Sequence, residues 1–274
     1  MPLRLLGLLI AITSSSLAQT HVPKSPANRL LHLNDPSPFY PHKDFPKLIT
    51  PQWVGEKEVK AVVTLGIDDM RDAPKYENFL RPILERLKKI DGRAPVSILT
   101  NRIQPENEQV QTWLKEGLSI EVHTLTHPCP LLQKGNFQQS FNVVHGGVDL
   151  LSQIKGNNPV AYRMPCCDSM NSLSPRFFAE IFNKTSADGR YLQIDSSVFN
   201  IMTSKDKSLP RQWVLDKDGE ERFTKYLPKK ATRPGMRTMG SYVGTIENYP
   251  YPYVINRLCW EFPCVVPSDW EAQN

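Results

Sequence analysis

No stretch of these 274 residues is apolar for long enough to cross a bilayer comfortably. A dense basic stripe with aromatics set between the cations is also missing. The net charge of +5 at pH 7 is a mild bias, which argues against nucleic acid as a partner. Lys229, Lys230 and Arg233 form a small cluster that reads as a solvated loop. There is no internal repeat, no low-complexity tract and no paired Cys-x-x-Cys unit, so repeat arrays and cysteine-type zinc modules find no support. Histidine is scarce, with six in all, and none follows His145.

What is present describes a folded, exported chain. Apolar residues make up 40% of the sequence, enough for a full core, and 24 prolines imply fixed turns and long ordered loops. Residues 1–18 hold one arginine, a short apolar run and small residues ending Ser16-Leu17-Ala18. That is the layout of a secretory signal peptide cleaved after Ala18, although a buried amino-terminal helix is the plainer alternative. Residues 19–56 are polar and proline-rich and read as an arm or linker, in which His21, His32 and His42 are solvated. Five cysteines fit an oxidising compartment, and Cys259 and Cys264 are near enough in sequence to bridge. Cys166 and Cys167 are adjacent and poorly placed to bond to each other, Cys129 is the fifth, and one thiol must stay unbridged within the chain.

From residue 57 strands and helices alternate. Strand patterns cover 59–67, Val96–Thr100, Leu118–Val122, 160–163 and 192–195, and the first reads as buried. Helical patterns cover a segment with Phe79, Ile83, Leu84 and Leu87 on one face, then Glu106–Glu116 closed by Gly117, then Phe141–Ile154. The alternation predicts an α/β domain over 57–274 with a parallel sheet, open or closed into a barrel. In such folds the carboxyl ends of the strands carry the site.

Two segments at strand ends carry the chemistry. Asp68-Asp69 ends the first strand, and His123-Thr-Leu-Thr-His127 ends the third. Histidines four residues apart share one face if the segment turns helical. Two imidazoles and one carboxylate make a three-ligand set that leaves positions open, as catalytic zinc sites do. The second aspartate is then available as a base toward water activated by the cation. Each segment has a plainer meaning: an aspartate pair caps helices, and His-x3-His arises by chance. Their joint placement at strand ends of one α/β domain favours the site.

With these residues in view, the sequence resembles the polysaccharide deacetylases with a NodB-type domain, also called carbohydrate esterase family 4. Their Thr-Phe-Asp-Asp-Gly segment is matched by Leu65-Gly66-Ile67-Asp68-Asp69-Met70, their His-(Ser/Thr)-x-x-His by His123 to His127, and their Arg-x-Pro-aromatic by Arg163-Met164-Pro165-Cys166. The resemblance implies an incomplete or distorted (β/α) barrel with a proline-rich amino-terminal extension. It implies a divalent metal, zinc or alternatively cobalt, on Asp69, His123 and His127. It makes Asp68 the general base and Arg163 its partner, with the Cys166 N–H as an oxyanion donor. Asp269-Trp270 resembles a groove-lining Asp-Trp segment, for which Asp195 competes, and core packing is the plainer role for Trp270. The implied activity is removal of acetyl groups from an acetylated polysaccharide, as amide or ester, outside the cytoplasm or cell. The family's Leu-x-His segment, whose histidine protonates the leaving group, has no counterpart here, so the domain is expected to be incomplete at its carboxyl end. A carbohydrate-binding relative that keeps the metal but not turnover is the alternative. An unrelated exported metal-binding or structural protein is a further one.

Overall fold

A computed structural model of the chain describes residues 63–132, 135–168, 175–185, 188–223, 245–255 and 259–266. The expected leader, the proline-rich arm, the Lys229–Arg233 cluster, Asp269 and Trp270 lie outside the described residues. No described helix is long and apolar enough to cross a membrane.

The first region repeats a strand–helix unit: β1 (Leu65–Asp68), α1 (Ala73–Asp91), β2 (Val96–Thr100), α2 (Glu108–Glu116), β3 (Ser119–Val122), α3 (Phe137–Ser152) and β4 (Ala161–Tyr162). A single turn, Pro165–Asp168, follows β4, and α4 (Pro175–Phe177) runs into a wider helical turn, Phe178–Phe182. The second region holds β5 (Ile194–Asp195), β6 (Phe199–Ile201), α5 (Arg211–Val214), β7 (Thr245–Glu247), β8 (Tyr253–Ile255), β9 (Cys259–Glu261) and β10 (Cys264–Val266). The main sheet runs β1-β2-β3-β4-β5-β9-β8, parallel except for the antiparallel β8–β9 pair, and β10-β6-β7 form a small parallel sheet. This curled, mostly parallel sheet with helices is the incomplete (β/α) barrel that the sequence implied.

Local chemistry sets the helix limits. The Asp72 carboxylate accepts from the Lys75 N–H at the start of α1, and Gly92, at φ 69°, turns the chain out after Asp91. Asn107 and Asn136 cap α2 and α3 in the same way. The buried faces of these helices present Leu80, Leu84, Val110, Trp113, Val144, Val148 and Leu151 to Ile98, Ile120, Val122 and Tyr162 of the sheet. Each such side chain stabilises the fold by about 1.5–3 kcal/mol relative to exposure. Trp113 Nε1 donates to Glu77 at 2.7 Å, which joins the core of α2 to the outer face of α1.

Several expectations need correction. β1 begins at Leu65 and lies at the sheet edge, with Val63 at 79% exposure, so it is not a buried strand. Phe79 is 61% exposed, because Leu80 and Leu84, together with Leu87, form the inward stripe of α1. The disulfide among the described residues joins Cys129 to Cys166, while Cys259 and Cys264 are thiols. Cys259 is buried in β9, and the Cys264 thiol donates to the Ser196 carbonyl oxygen at 3.1 Å. Proximity in sequence was a poor guide there, since the two residues belong to different sheets.

Candidate metal centre and active site

The parallel ladder itself delivers the site. One residue beyond each strand, a backbone N–H still reaches the neighbouring strand: Asp69 N to Leu99 O at 3.0 Å, His123 N to Thr100 O at 3.1 Å, Arg163 N to Val122 O at 3.0 Å and Ser196 N to Tyr162 O at 2.9 Å. Phe262 N to Asp195 O, at 2.8 Å, extends the series. Consecutive strands therefore end on one rim, with functional side chains at equivalent positions. Just past the ladder the backbone turns left-handed at Asp69 (φ 62°), Thr124 (φ 64°), His127 (φ 57°) and Cys166 (φ 59°). Such residues cost roughly 1–3 kcal/mol each and persist where the surroundings fix them, which is common at functional sites.

Those surroundings are visible. The His127 N–H donates to Thr124 Oγ1 at 3.0 Å and shapes the His-x3-His loop. Gly147 of α3 lies beneath it, where a Cβ would come within 3.0 Å of the Thr124 carbonyl carbon. The Cys129–Cys166 bridge fastens the segment after His127 to the turn after Arg163. Met70 is fully buried, and its carbonyl oxygen accepts from the Thr100 hydroxyl, so the chain after Asp69 is anchored in the core.

Asp69, His123 and His127 form a cluster whose ligand atoms all lie within 4.8 Å of one another. Asp69 Oδ1 is 3.4 Å from His127 Nε2 and 4.0 Å from His123 Nε2. Two ligands about 2.0 Å from a tetrahedral zinc stand roughly 3.3 Å apart, so the set is close to closing around a cation. His123 Nδ1 pairs with the Arg163 carbonyl oxygen at 2.8 Å, which assigns its proton to Nδ1 and leaves Nε2 as the donor toward the centre. Burial holds the His123 ring below its ordinary pKa, against the pull of Asp68 and Asp69, so it is present as the neutral imidazole that a metal needs. The donor set fits a divalent cation.

Asp68 stands apart from this set. Arg163 Nη1 donates to Asp68 Oδ1 at 2.7 Å, its Nε to the Ser196 carbonyl oxygen at 2.8 Å and its Nη2 to Ser196 Oγ at 2.9 Å. Ser196 Oγ in turn donates to the Phe262 carbonyl oxygen at 2.7 Å. Gly66 leaves the room that the guanidinium uses, since a Cβ there would meet Arg163 Nη2 at 3.0 Å. The arrangement sets a carboxylate held by Arg163 beside the Asp69–His123–His127 cluster.

The structure thus brings together Asp68, Asp69, His123, His127 and Arg163, with Cys166 on the adjoining turn. It does not bring Asp195 to the groove. Asp195 is wholly buried, accepts from Ser197 Oγ at 2.5 Å and pairs in register with Glu261, so substrate does not reach it. Sequence reasoning missed Ser196, whose signal was its place one residue beyond a predicted strand, like His123. It also missed Arg71, which donates to Asp69 Oδ1 at 2.6 Å. His145 is structural: it stacks on Phe141 at 4.2 Å and pairs with the Ile181 carbonyl oxygen.

Part of this chain is similar in sequence to known proteins. Residues 55–174 match the sequence model of a family described as polysaccharide deacetylase. The peptidoglycan-N-acetylmuramic acid deacetylase PdaC of Bacillus subtilis (strain 168) is 31% identical over 104 residues, which cover 38% of this chain and 21% of PdaC. The chain therefore spans about a fifth of the length of that curated relative. Among solved structures, B. subtilis PdaC aligns at 19% identity and TM-score 0.36 over 55% of this chain and 64% of its own. A family 4 carbohydrate esterase from Streptomyces lividans, in complex with acetate, aligns at 13% identity and TM-score 0.35 over 56% and 70%. The matched segment, a little under half of the chain, contains Asp68, Asp69, His123, His127 and Arg163, and over it this chain is similar to the polysaccharide deacetylases.

Proposed function

We propose that this protein is a metal-dependent hydrolase that removes acetyl groups from an acetylated polysaccharide outside the cytoplasm. The observation that carries the reading is the meeting, on one rim, of the Asp69–His123–His127 set with a separate carboxylate, Asp68, clamped by Arg163. A zinc ion, or cobalt in its place, would be held by those three residues and would supply Lewis acidity toward the acetyl carbonyl and water. Asp68 accepts the proton of the attacking water, and Arg163 fixes the direction from which it does so. The Cys166 N–H, on the turn that the disulfide holds, donates to the oxyanion as the carbonyl carbon becomes tetrahedral. Acetate leaves, and a sugar amine or hydroxyl remains.

The substrate class follows the same logic. Asp69 and His127 are partly exposed, at 44% and 23%, so the site can be reached from solvent. The B. subtilis relative is named for N-acetylmuramic acid of peptidoglycan, so acetylated peptidoglycan joins chitin and acetylated xylan among the polymers to be tried.

The test is acetate release from a panel of acetylated glycans by purified protein with zinc or cobalt restored. Asp68→Asn is expected to lose about 10²–10⁴ in kcat while still binding one equivalent of metal. Stoichiometric metal with no release from any glycan would instead identify a carbohydrate-binding relative.

A further inference from the structure

Arg71 has no part in the chemistry above, yet it touches the metal ligand directly. Its Nη2 donates to Asp69 Oδ1 at 2.6 Å, and its Nε donates to Asn101 Oδ1 at 3.0 Å. Asp69 Oδ1 is also the oxygen that faces both imidazoles, at 3.4 Å from His127 Nε2 and 4.0 Å from His123 Nε2. A group that supports a metal-binding carboxylate orients it without contesting the ligating oxygen. Here the guanidinium lies against that oxygen. It brings a permanent positive charge, because arginine does not deprotonate in proteins.

The charge count sharpens the point. As ligands, two imidazoles and one carboxylate would offer a divalent cation a net charge of −1; the Arg71 guanidinium would bring the group to zero. Guanidinium and dication sharing one oxygen repel each other, and the half-exposed setting of Arg71 and Asp69 screens that repulsion without removing it. Asn101 supplies the way out. It is fully buried, its side-chain oxygen holds Arg71 Nε, and its amide nitrogen points to the His123 carbonyl oxygen at 3.5 Å. Arg71 can therefore release Asp69 and keep a fixed anchor beside the site.

We propose that Arg71 is a built-in competitor for the metal. It holds the Asp69 oxygen that faces both imidazoles, and it lowers the affinity for the cation that displaces it. The inference rests on the reading of Asp69, His123 and His127 as metal ligands.

The experiment strips the full chain of metal and titrates it with cobalt, followed by the visible absorption of the bound ion and by calorimetry, and repeats the titration with zinc. Wild type, Arg71→Met and Arg71→Lys are compared, each with a thermal melt to establish that it folds. Arg71→Met is expected to bind cobalt about tenfold tighter, because the repulsion between guanidinium and dication is removed. Arg71→Lys should fall between, since an ammonium keeps the charge but loses the two-point hold on Asp69 and Asn101. Metal-free Arg71→Met should also melt below metal-free wild type, and gain more from metal. Equal or weaker binding by the methionine variant would overturn the proposal and leave Arg71 an ordinary support for Asp69. A wild type that takes up no cobalt would instead overturn the metal-centre reading, and this inference with it.

Discussion

The region from β1 to β4 and the region from β5 to β10 fold by different rules. In the first, each strand is followed by a helix whose apolar stripe covers the sheet, and the strand ends carry Asp68, Asp69, His123 and Arg163. In the second, the described strands are of two or three residues and the helix described among them is the single turn Arg211–Val214, and buried polar groups crowd the interior: Asp195, Ser197, Asn200 and Glu261 are all fully buried. The first region is an apolar scaffold with chemistry at its rim. The second is a polar clamp, whose contribution to the site is the grip of Ser196 on Arg163, with Phe262 behind it. The residues of the candidate site and the groups that align them thus come from separate stretches of chain.

The largest expected effect would break the picture of the first region as held by its core alone. The Cys129–Cys166 bridge closes a sequence separation of 37 residues around α3. Chain-entropy arguments give such a closure about 3–4 kcal/mol. A Cys129→Ser, Cys166→Ser double variant should lose that much stability in a denaturant titration, as should reduced wild type. Metal affinity should fall with it, because His127 sits two residues before the bridge. A loss below about 1 kcal/mol would mean that packing alone holds the His-loop, and that the rim of the first region needs no staple.

A second comparison sets one buried glutamate from each region side by side. Glu121 of β3 is raised above its ordinary pKa by burial, but Val160 N and Ala161 N both donate to its carboxylate and favour the charged form. Glu261 of β9 is raised well above the ordinary value, first by burial and then by the facing Asp195 carboxylate, with Cys264 adding to the effect. Folded Glu261 therefore keeps a proton that the unfolded chain releases near 4.5. Fewer protons bound in the unfolded state means that stability falls as pH rises above that point, by about 1.4 kcal/mol per pH unit while the difference lasts. Glu261→Gln should flatten this fall, measured as unfolding free energy of metal-free protein between about pH 5 and about pH 7. Glu121→Gln should change the slope less. Equal slopes in the two variants would erase the distinction between apolar scaffold and polar clamp.

The same contrast explains what could be read from sequence. β2, α2 and the ligand segments were legible because apolar periodicity, caps and strand-end polar residues coincide there. Val96–Thr100 was placed residue for residue. The order Asp68-Asp69, His123-x3-His127, Arg163-x-Pro165 pointed to residues that the fold brings together on one rim. β6 to β10 were not legible, since three-residue strands lack a period and their interior is partly polar. The disulfide was misjudged because the turn that brings Cys166 to Cys129 follows from the β3–β4 pairing, a contact between residues far apart in sequence. Arg71 and Ser196 carry no motif. Their roles appear only when the ladder sets them beside Asp69 and Arg163.

The smallest effect is also the sharpest test of how the regions divide the work. Ser196→Ala removes the hydroxyl that accepts from Arg163 Nη2 and donates to the Phe262 carbonyl oxygen, but keeps the backbone oxygen that holds Arg163 Nε. Stability should fall by only about 1 kcal/mol, the usual net value of a hydrogen bond lost in this setting. The guanidinium, freed at one end, would swing about its Nε anchor, and Asp68 would lose the fixed partner at Nη1. A misplacement of this kind costs up to about a hundredfold in rate, and it should appear in kcat rather than KM, because the acetyl group is not bound by Arg163. Cobalt affinity should be unchanged, since none of the ligands touches Ser196 directly. Ser196→Thr, which restores a hydroxyl, should recover most of the rate. If Ser196→Ala instead weakens the metal, the second region reaches the ligands themselves, through the Arg163 carbonyl oxygen that pairs with His123 Nδ1. Clamp and scaffold would then be one unit.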